Sequence, residues 1–529
     1  AGTTAGMILG ESAYYFSIGL FLLFLAGFIV WLVCLSRYFH RRSLTISASF
    51  PFWKRGVVVL VGACLIGLCI FGIRGRTGYN PIKVSAAYFC QDAFLNQLGV
   101  SPTFNLLTSV MDDMRPENKY LHLMDEQEAI TKAQALLNRQ GEVAVSPLAV
   151  YRHASKADSV QQGRPNVVLI MMESMSSKLM KHFGQSETLT PFLDSLYTRS
   201  ISFRNFYSAG IHTNHGLYAT LYSFPAMMKR NLMKGSVIPR YSGLPTVLKE
   251  NGYYNLFFMT HEGQYDNMNA FFRTNGYDEV FSQENYPADK VVNSFGVQDD
   301  FLYDYAIPVL NQRAATGEPF FATLLSISNH PPYVIPPFFH PKTSEPETQI
   351  VEYADWALRK FFEEARKQPW FDNTIFVLEG DHGKLVGDAE CELPESYNHI
   401  PLMIYSSRIH PEEKNTFGGQ VDIQPTILGL LNIDYLQNNF GVDLLKEERP
   451  CMFYTADNMI VGRNDTLLYL YNYETQQEFT YHIDNGKLKA VPMDDRFLPL
   501  KEYSFSMLQS AEFLVKHGKT VNSVPVTQQ

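Results

Sequence analysis

Two uncharged apolar runs open the chain. The first, Tyr14 to Leu35, is 22 residues long (YYFSIGLFLLFLAGFIVWLVCL), and the second, Gly56 to Ile73, is 18. At about 1.5 Å per residue, either run as a helix matches a hydrocarbon layer about 30 Å thick. One such run could be a buried core helix; two in close succession predict membrane spans, at about 14–35 and 56–73 within a transmembrane region of residues 1–76. A cleaved signal peptide fits poorly, because the first run exceeds the usual apolar segment and a second follows it. Arg37, Arg41, Arg42, Lys54 and Arg55 crowd the intervening loop and place it in the cytoplasm. Everything after residue 76 is then expected on the outer face of a multi-pass cell (cytoplasmic) membrane protein, although Arg74 and Arg76 at the outer end pull the other way. The opening AGTTAG, without Met, is read as a fragment that lacks earlier spans.

Residues 77–160 mix short apolar stretches with polar breaks, as in AFLNQLGVSPTFNLLTSV before MDDMRPENKY. They predict a stalk of short helices ending in a linker at 154–165. From 161 to 450 the pattern changes. Apolar runs of strand length stand at 166–174, 253–260, 319–327, 374–381 and 400–406, near-continuous as strands buried on both faces require. Helical stretches intervene at 244–252, 300–313 and 350–367. In the last, Ile350, Ala354, Ala357, Phe361 and Ala365 recur at spacings of three and four and define one apolar face. The alternation predicts an α/β sandwich on a mostly parallel sheet. Residues 451–529 are rich in tyrosine and turns and predict a small antiparallel sheet closed by a helix.

The net charge of −9 conceals a division: residues 1–76 carry +6, and residues 77–529, with 37 basic and 52 acidic side chains, carry −15. A uniformly basic nucleic-acid binder is excluded. Three cysteines (Cys34, Cys64, Cys69) fall in the apolar runs. Cys90, Cys391 and Cys451 lie outside them, too few for a disulfide framework, and whether Cys391 and Cys451 pair stays open.

In open α/β sheets, ligands gather at the carboxyl ends of strands. Glu173 closes VVLIMMES, and Asp381 with His382 closes IFVLEGDHG. Alone, the first reads as an acid in a helix's first turn and the second as a turn signal. Together they read as hard oxygen ligands with one imidazole, suited to Mn²⁺ or Zn²⁺ more than to Ca²⁺. In SAGIHTNHG (208–216), Thr213 stands between His212 and His215. Its hydroxyl needs a base or a metal to become a nucleophile, and no G-x-S-x-G elbow supports a serine hydrolase. Alternatively, His212 and His215 are themselves ligands, or the stretch is a polar loop capping a helix. His261, His330 and His399 lie beside three strands. Because His399 enters its strand instead of leaving it, it ranks below the other two; Asn267 follows His261 by six residues.

NVVLIMMESMSS, SAGIHTNHG, LSISNHPPY, LEGDHG, NHIPLMIYSS and QVDIQPTILGLLNID run in one order over about half the chain. As a set they resemble the alkaline phosphatase/sulfatase superfamily, and within it the lipoteichoic acid synthase-like phosphoglycerol transferases. The resemblance implies a membrane-anchored phosphotransferase that takes a phosphorylated headgroup from a phospholipid donor onto Thr213. It then passes that group to a glycan or lipid acceptor. It further implies one divalent metal, Mn²⁺ with Zn²⁺ as the alternative, held by Glu173, Thr213, Asp381 and His382. His261 and His330 fall at the substrate's phosphate, with Asn267 and His399 as further candidates for binding substrate.

Glycerol-phosphate-transferring members often carry F-W-N-R where this chain has Tyr265–Met268 (YDNM). The missing Arg leaves the headgroup open between phosphoglycerol and phosphoethanolamine, and Asp266 would suit a cationic one. The nucleophile loop H-T-N-H-G lacks the C/S-x-P-x-R of a formylglycine sulfatase. A metal-dependent phosphatase or phosphodiesterase, and an inactive tethered binding protein on the same fold, are the competing functions.

Overall fold

The computed structural model describes residues 15–46, 52–77, 81–90, 93–115, 118–139, 144–145, 147–153, 164–235, 238–484 and 486–522. The chain divides into two units, Ala1–Ile82 and Lys83–Gln529.

In the first unit, helices α1 (Tyr15–Ile46) and α2 (Phe52–Arg74) contain stretches long and apolar enough to cross a membrane, Leu23–Arg41 and Gly56–Arg74. None of either stretch is buried within the protein. Residues 47–51 and the side chains of Arg42, Lys54 and Arg55, on which the orientation argument leans, lie outside the described residues.

The second unit begins at Lys83, so the stretch read as a separate stalk joins the body of the protein. Helices α3 (Ala93–Leu98), α4 (Pro102–Asp113) and α5 (Glu126–Leu137) precede the sheet. The chain ahead of α5 is sewn to the last helix. Leu121 donates its backbone N–H to the Glu512 carboxylate at 3.0 Å, Leu123 donates to Gln509 at 2.7 Å, and Lys516 reaches Glu126 at 2.7 Å. Most of the expected linker, 154–163, lies outside the described residues.

The central sheet has eight strands: β1 (Asn166–Met172), β2 (Ile201–Tyr207), β3 (Tyr254–Met259), β4 (Glu279–Phe281), β5 (Phe320–Leu325), β6 (Thr374–Gly380), β7 (Leu402–Tyr405) and β8 (Glu412–Gly419). Their order across the sheet is β4–β3–β5–β1–β6–β7–β2–β8, and only β7 runs antiparallel to its neighbours. Alternation along β1 explains the layers. Val167, Leu169 and Met171 face one core, while Val168, Ile170 and Met172 face the other. Helix α6 (Thr213–Tyr222) covers the first face, and α7 (Asp299–Ala314) and α8 (Pro346–Ala365) cover the second, while the last helix, α9 (Leu498–Lys516), packs on α5 and on the strands Met452–Ala456 and Met459–Arg463.

The five apolar runs read from the sequence are β1, β3, β5, β6 and β7. The reading missed β2, interrupted by the bulge between Phe203 and Asn205, the three-residue edge strand β4, and the charged edge strand β8. A charged edge is how a sheet avoids pairing with other chains. Five antiparallel strands, β9 (Met452–Ala456), β10 (Met459–Arg463), β11 (Leu467–Asn472), β12 (Gln477–Asp484) and β13 (Lys487–Ala490), form the separate C-terminal sheet. Cys391 and Cys451 are both free thiols.

Candidate active site

Register brings the acids together. Strands β1 and β6 are parallel neighbours with Met172 opposite Gly380, so Glu173 and Asp381 leave the sheet side by side. Asp381 donates its backbone N–H to the Met172 carbonyl at 3.0 Å. Asp381 Oδ1 accepts the N–H groups of Ser174 at 2.8 Å and His382 at 2.7 Å, while Oδ2 is buried with no partner. The Ser174 hydroxyl donates to Glu173 Oε1 at 2.7 Å. His382 places Nδ1 against the Gly383 carbonyl at 2.8 Å. That leaves Nε2 at 3.8 Å from Glu173 Oε1 and 3.6 Å from Asp381 Oδ2.

One ligand atom from each of Glu173, Asp381 and His382 lies within 4.8 Å of the others, and these are the metal-competent cluster among the described residues. Both carboxylates are buried, and no Lys or Arg among the described residues pairs with either. Burial, then the neighbouring Asp381 charge, pushes the Glu173 carboxyl well above its ordinary range. Two uncompensated buried acids are costly. An orphaned carboxylate oxygen beside an imidazole with a free nitrogen is what a divalent cation would satisfy.

Thr213 opens α6, with His212 extended at the N-cap. Its Oγ1 faces Glu173 Oε2 at 3.5 Å. The helix N-terminus therefore puts a hydroxyl, and a partial positive charge that favours anions, beside the acids. Two contacts fix this helix against the strand. A Cβ at Gly216 would lie 2.3 Å from the Asp381 carbonyl oxygen, so only glycine permits the approach. Gln420 donates to the carbonyls of Gly380 and Asp381 and accepts the Ala209 N–H at 2.9 Å. Gln420 thus ties the loop ahead of Thr213 to the end of β6.

The two flanking histidines are not in the cluster. His212 pairs with Asp457, from the turn between β9 and β10, at 2.9 Å. His215 is fully buried without a partner for either ring nitrogen, and its pKa falls to about 3 because burial disfavours the cation.

His261 and His330 follow the carboxyl ends of β3 and β5. Each holds Nδ1 against a backbone carbonyl, of Glu262 at 3.2 Å and Pro331 at 2.6 Å. Each keeps Nε2 for another partner, and burial lowers both pKa values. Asn267 spends its amide on the Met233 carbonyl at 2.9 Å, at a left-handed φ of 68°. His399 lies at the same edge of the sheet as the other candidates. Because β7 is antiparallel, its entry lies at the same edge as the exits of β6 and β2, and His399 bridges to Tyr207. The ground for ranking it lower fails, yet its Nε2 is taken by the Arg204 carbonyl at 2.8 Å and its ring stacks on Tyr207. Asp266 is likewise occupied, by Lys234 at 2.8 Å and Asn214 at 3.3 Å.

The sequence reading passed over Lys384. Its ammonium donates to Asn329 Oδ1 at 2.7 Å and lies over the Tyr333 ring, while Asn329 donates to the Ser174 carbonyl. Burial lowers its pKa to about 8. Its position two residues beyond His382 is the one signal that could have flagged it.

The Sulfatase family model matches residues 165–433. Lipoteichoic acid synthase 2 of Bacillus subtilis is 24% identical over 315 residues, 54% of this chain and 47% of that protein. Lipoteichoic acid synthase 1 of the same organism is 25% identical over 354 residues, 61% and 54% respectively. The chain thus spans about half the length of these relatives. Among solved structures, an alkaline phosphatase superfamily protein from Vibrio parahaemolyticus aligns with a TM-score of 0.67 at 24% identity, covering 77% of this chain and all of that one. The lipoteichoic acid synthase LtaP from Listeria monocytogenes aligns with a TM-score of 0.60 at 20% identity, covering 73% and 98%.

Proposed function

The chain belongs to the sulfatase family, and from that membership we propose that it is a membrane-anchored phosphotransferase that moves phosphoglycerol from a phospholipid, through Thr213, to an acceptor hydroxyl on a glycan or lipid. The observation that carries the reading is Thr213 Oγ1 at a helix N-terminus, 3.5 Å from Glu173, beside the cluster of Glu173, Asp381 and His382. These residues with Thr213 would hold one divalent ion, Mn²⁺ by resemblance and Zn²⁺ as the alternative, which when bound neutralises phosphoryl charge and acidifies a hydroxyl.

The chain's own residues supply the rest. Thr213 Oγ1 forms a bond to phosphorus, the bond from phosphorus to the diacylglycerol oxygen breaks, and diacylglycerol leaves as the alcohol. The threonine proton departs toward Glu173 Oε2, the atom it faces, and passes on to the departing diacylglycerol oxygen. An acceptor hydroxyl then attacks the same phosphorus, the bond from phosphorus to Thr213 Oγ1 breaks, and the acceptor's proton returns to Oγ1 to restore the threonine. The α6 N-terminus stabilises the anionic group through both steps. With Nδ1 tied to a carbonyl, neutral His261 and His330 offer Nε2 as an acceptor, suited to headgroup hydroxyls. Asp266, already paired with Lys234 and Asn214, is a poor counter-ion for ethanolamine, which favours glycerol. The apolar surfaces of α1 and α2, unburied by the protein, are suited to a bilayer that also holds the donor. We place residues 1–76 in it and the catalytic body on its outer face.

The test uses vesicles whose phosphatidylglycerol is labelled in the headgroup, with a glycolipid acceptor added. Label on the acceptor and diacylglycerol released in equal amounts support transfer. Label recovered only as free glycerol phosphate would make the protein a phosphodiesterase.

A further inference from the structure

Helix α4 is inside out. A helix on a water-soluble body turns its apolar stripe to the core and its polar face to solvent. Here Leu106, Leu107, Val110 and Met111, with Met114 just beyond the helix, are exposed, from 48% for Val110 to 77% for Met114. Their spacing of one, three and four residues makes one continuous stripe. Asn105, Thr108, Ser109 and Asp112, together with Phe104 in the first turn, are the half-buried positions. Ser109 and Asp112 line a cleft with Arg115, Arg230, Lys234 and Tyr241, so the polar face is the one against the protein. The helix is well formed, with Ser101 capping Phe104 N and Pro102 in its first turn.

The reversal is local. Of the seventeen exposed large apolar side chains described from Lys83 onward, nine lie between Phe89 and Tyr120, including Phe89, Leu95 and Leu98 ahead of α4. Exposed apolar side chains concentrated in this way mark a surface that is covered in use. Continuity along the chain selects the cover. The stripe begins 32 residues after Arg74, the end of the apolar helix α2, and no exposed charge interrupts it between Leu106 and Met111.

We propose that α4, with Phe89, Leu95 and Leu98, is an interfacial helix that lies on the lipid surface and docks the catalytic unit there. This rests on the membrane-anchored reading above. A bilayer contact beyond the spanning helices would hold the site at the donor's own surface.

The full chain is reconstituted in phosphatidylglycerol–phosphatidylcholine vesicles that contain a phospholipid with a diazirine on its acyl chain near the glycerol. It is then irradiated and mapped by peptide mass spectrometry. The expected result is lipid adducts within residues 102–114 as well as within 56–73. Adducts within 56–73 alone would overturn the docking helix and leave the anchor standing. Adducts in neither would remove the anchored reading and this inference with it. Cross-links between 102–114 of two copies, without lipid adducts, would replace the bilayer by a second copy of this chain. In parallel, the triple variant Leu106→Gln, Leu107→Gln, Met111→Gln is expected to turn over vesicle-borne donor at least tenfold more slowly while a soluble short-chain donor is processed within twofold of wild type. Unchanged vesicle turnover would overturn the proposal.

Discussion

Ser174 donates its backbone N–H to Asp381 Oδ1 across 2.8 Å, a bond that joins the residues just past two parallel strands and turns the other Asp381 oxygen inward, buried and unpaired. The centre is thus built by strand register, which leaves a buried carboxylate oxygen without a partner beside His382.

Metal addition follows directly. Mn²⁺ or Zn²⁺ at a hundredfold excess over its dissociation constant should stabilise the folded protein by about 2.7 kcal/mol, read as a rise in Tm. Asp381→Asn should lose that rise. An equal rise in the variant would place the ion elsewhere.

Gly216→Ala tests the packing between α6 and β6. The added methyl meets the Asp381 carbonyl oxygen, a backbone atom that cannot swing aside. A loss of about 1–3 kcal/mol is expected, together with weaker metal binding by calorimetry. Unchanged metal affinity would show that Asp381 keeps its place without this contact.

Asp299 sets a pH dependence of stability. Its Oδ1 accepts the N–H groups of Ile327 and Ser328, holding the loop that leads to His330, and burial raises its carboxyl from 3.8 to about 6. A raised carboxyl stabilises fully below its unfolded pKa and loses that contribution as pH rises through the folded one. Asp299→Asn keeps the accepting oxygen without the charge. Urea midpoints of wild type and variant should agree near pH 4, and the variant should be more stable by up to about 3 kcal/mol near pH 8. Parallel curves across that range would contradict the assignment.

Much of this was legible in the sequence, for a physical reason. Strands buried on both faces must be apolar throughout, so β1, β3, β5, β6 and β7 announce themselves, and acids at their exits stand out. What was hidden depends on partners distant in sequence. Glu412–Gly419 looks like a charged loop until it pairs with β2. His399 looks misplaced until β7 is known to run backward. Lys384 looks like a solvated lysine until Asn329 and Tyr333 enclose it.

Lys384→Met addresses that last residue. If the ammonium orders the Asn329–Ser174 link and adds positive charge for the donor's phosphate, KM for the phospholipid should rise about tenfold, or about 1.4 kcal/mol. Lys384→Arg should recover part of it, and kcat should move less. A change in kcat alone would assign Lys384 to the chemical step.

The central claim is that Thr213 carries the phosphorylated headgroup. Intact-mass and peptide mass spectrometry of the full chain, quenched in acid during turnover of phosphatidylglycerol without acceptor, reads it directly. The expected result is a glycerol-phosphate adduct mapped to Thr213, absent from Thr213→Ala and discharged when acceptor is added. Sustained diacylglycerol release from a wild-type protein whose Thr213 stays unmodified would contradict it.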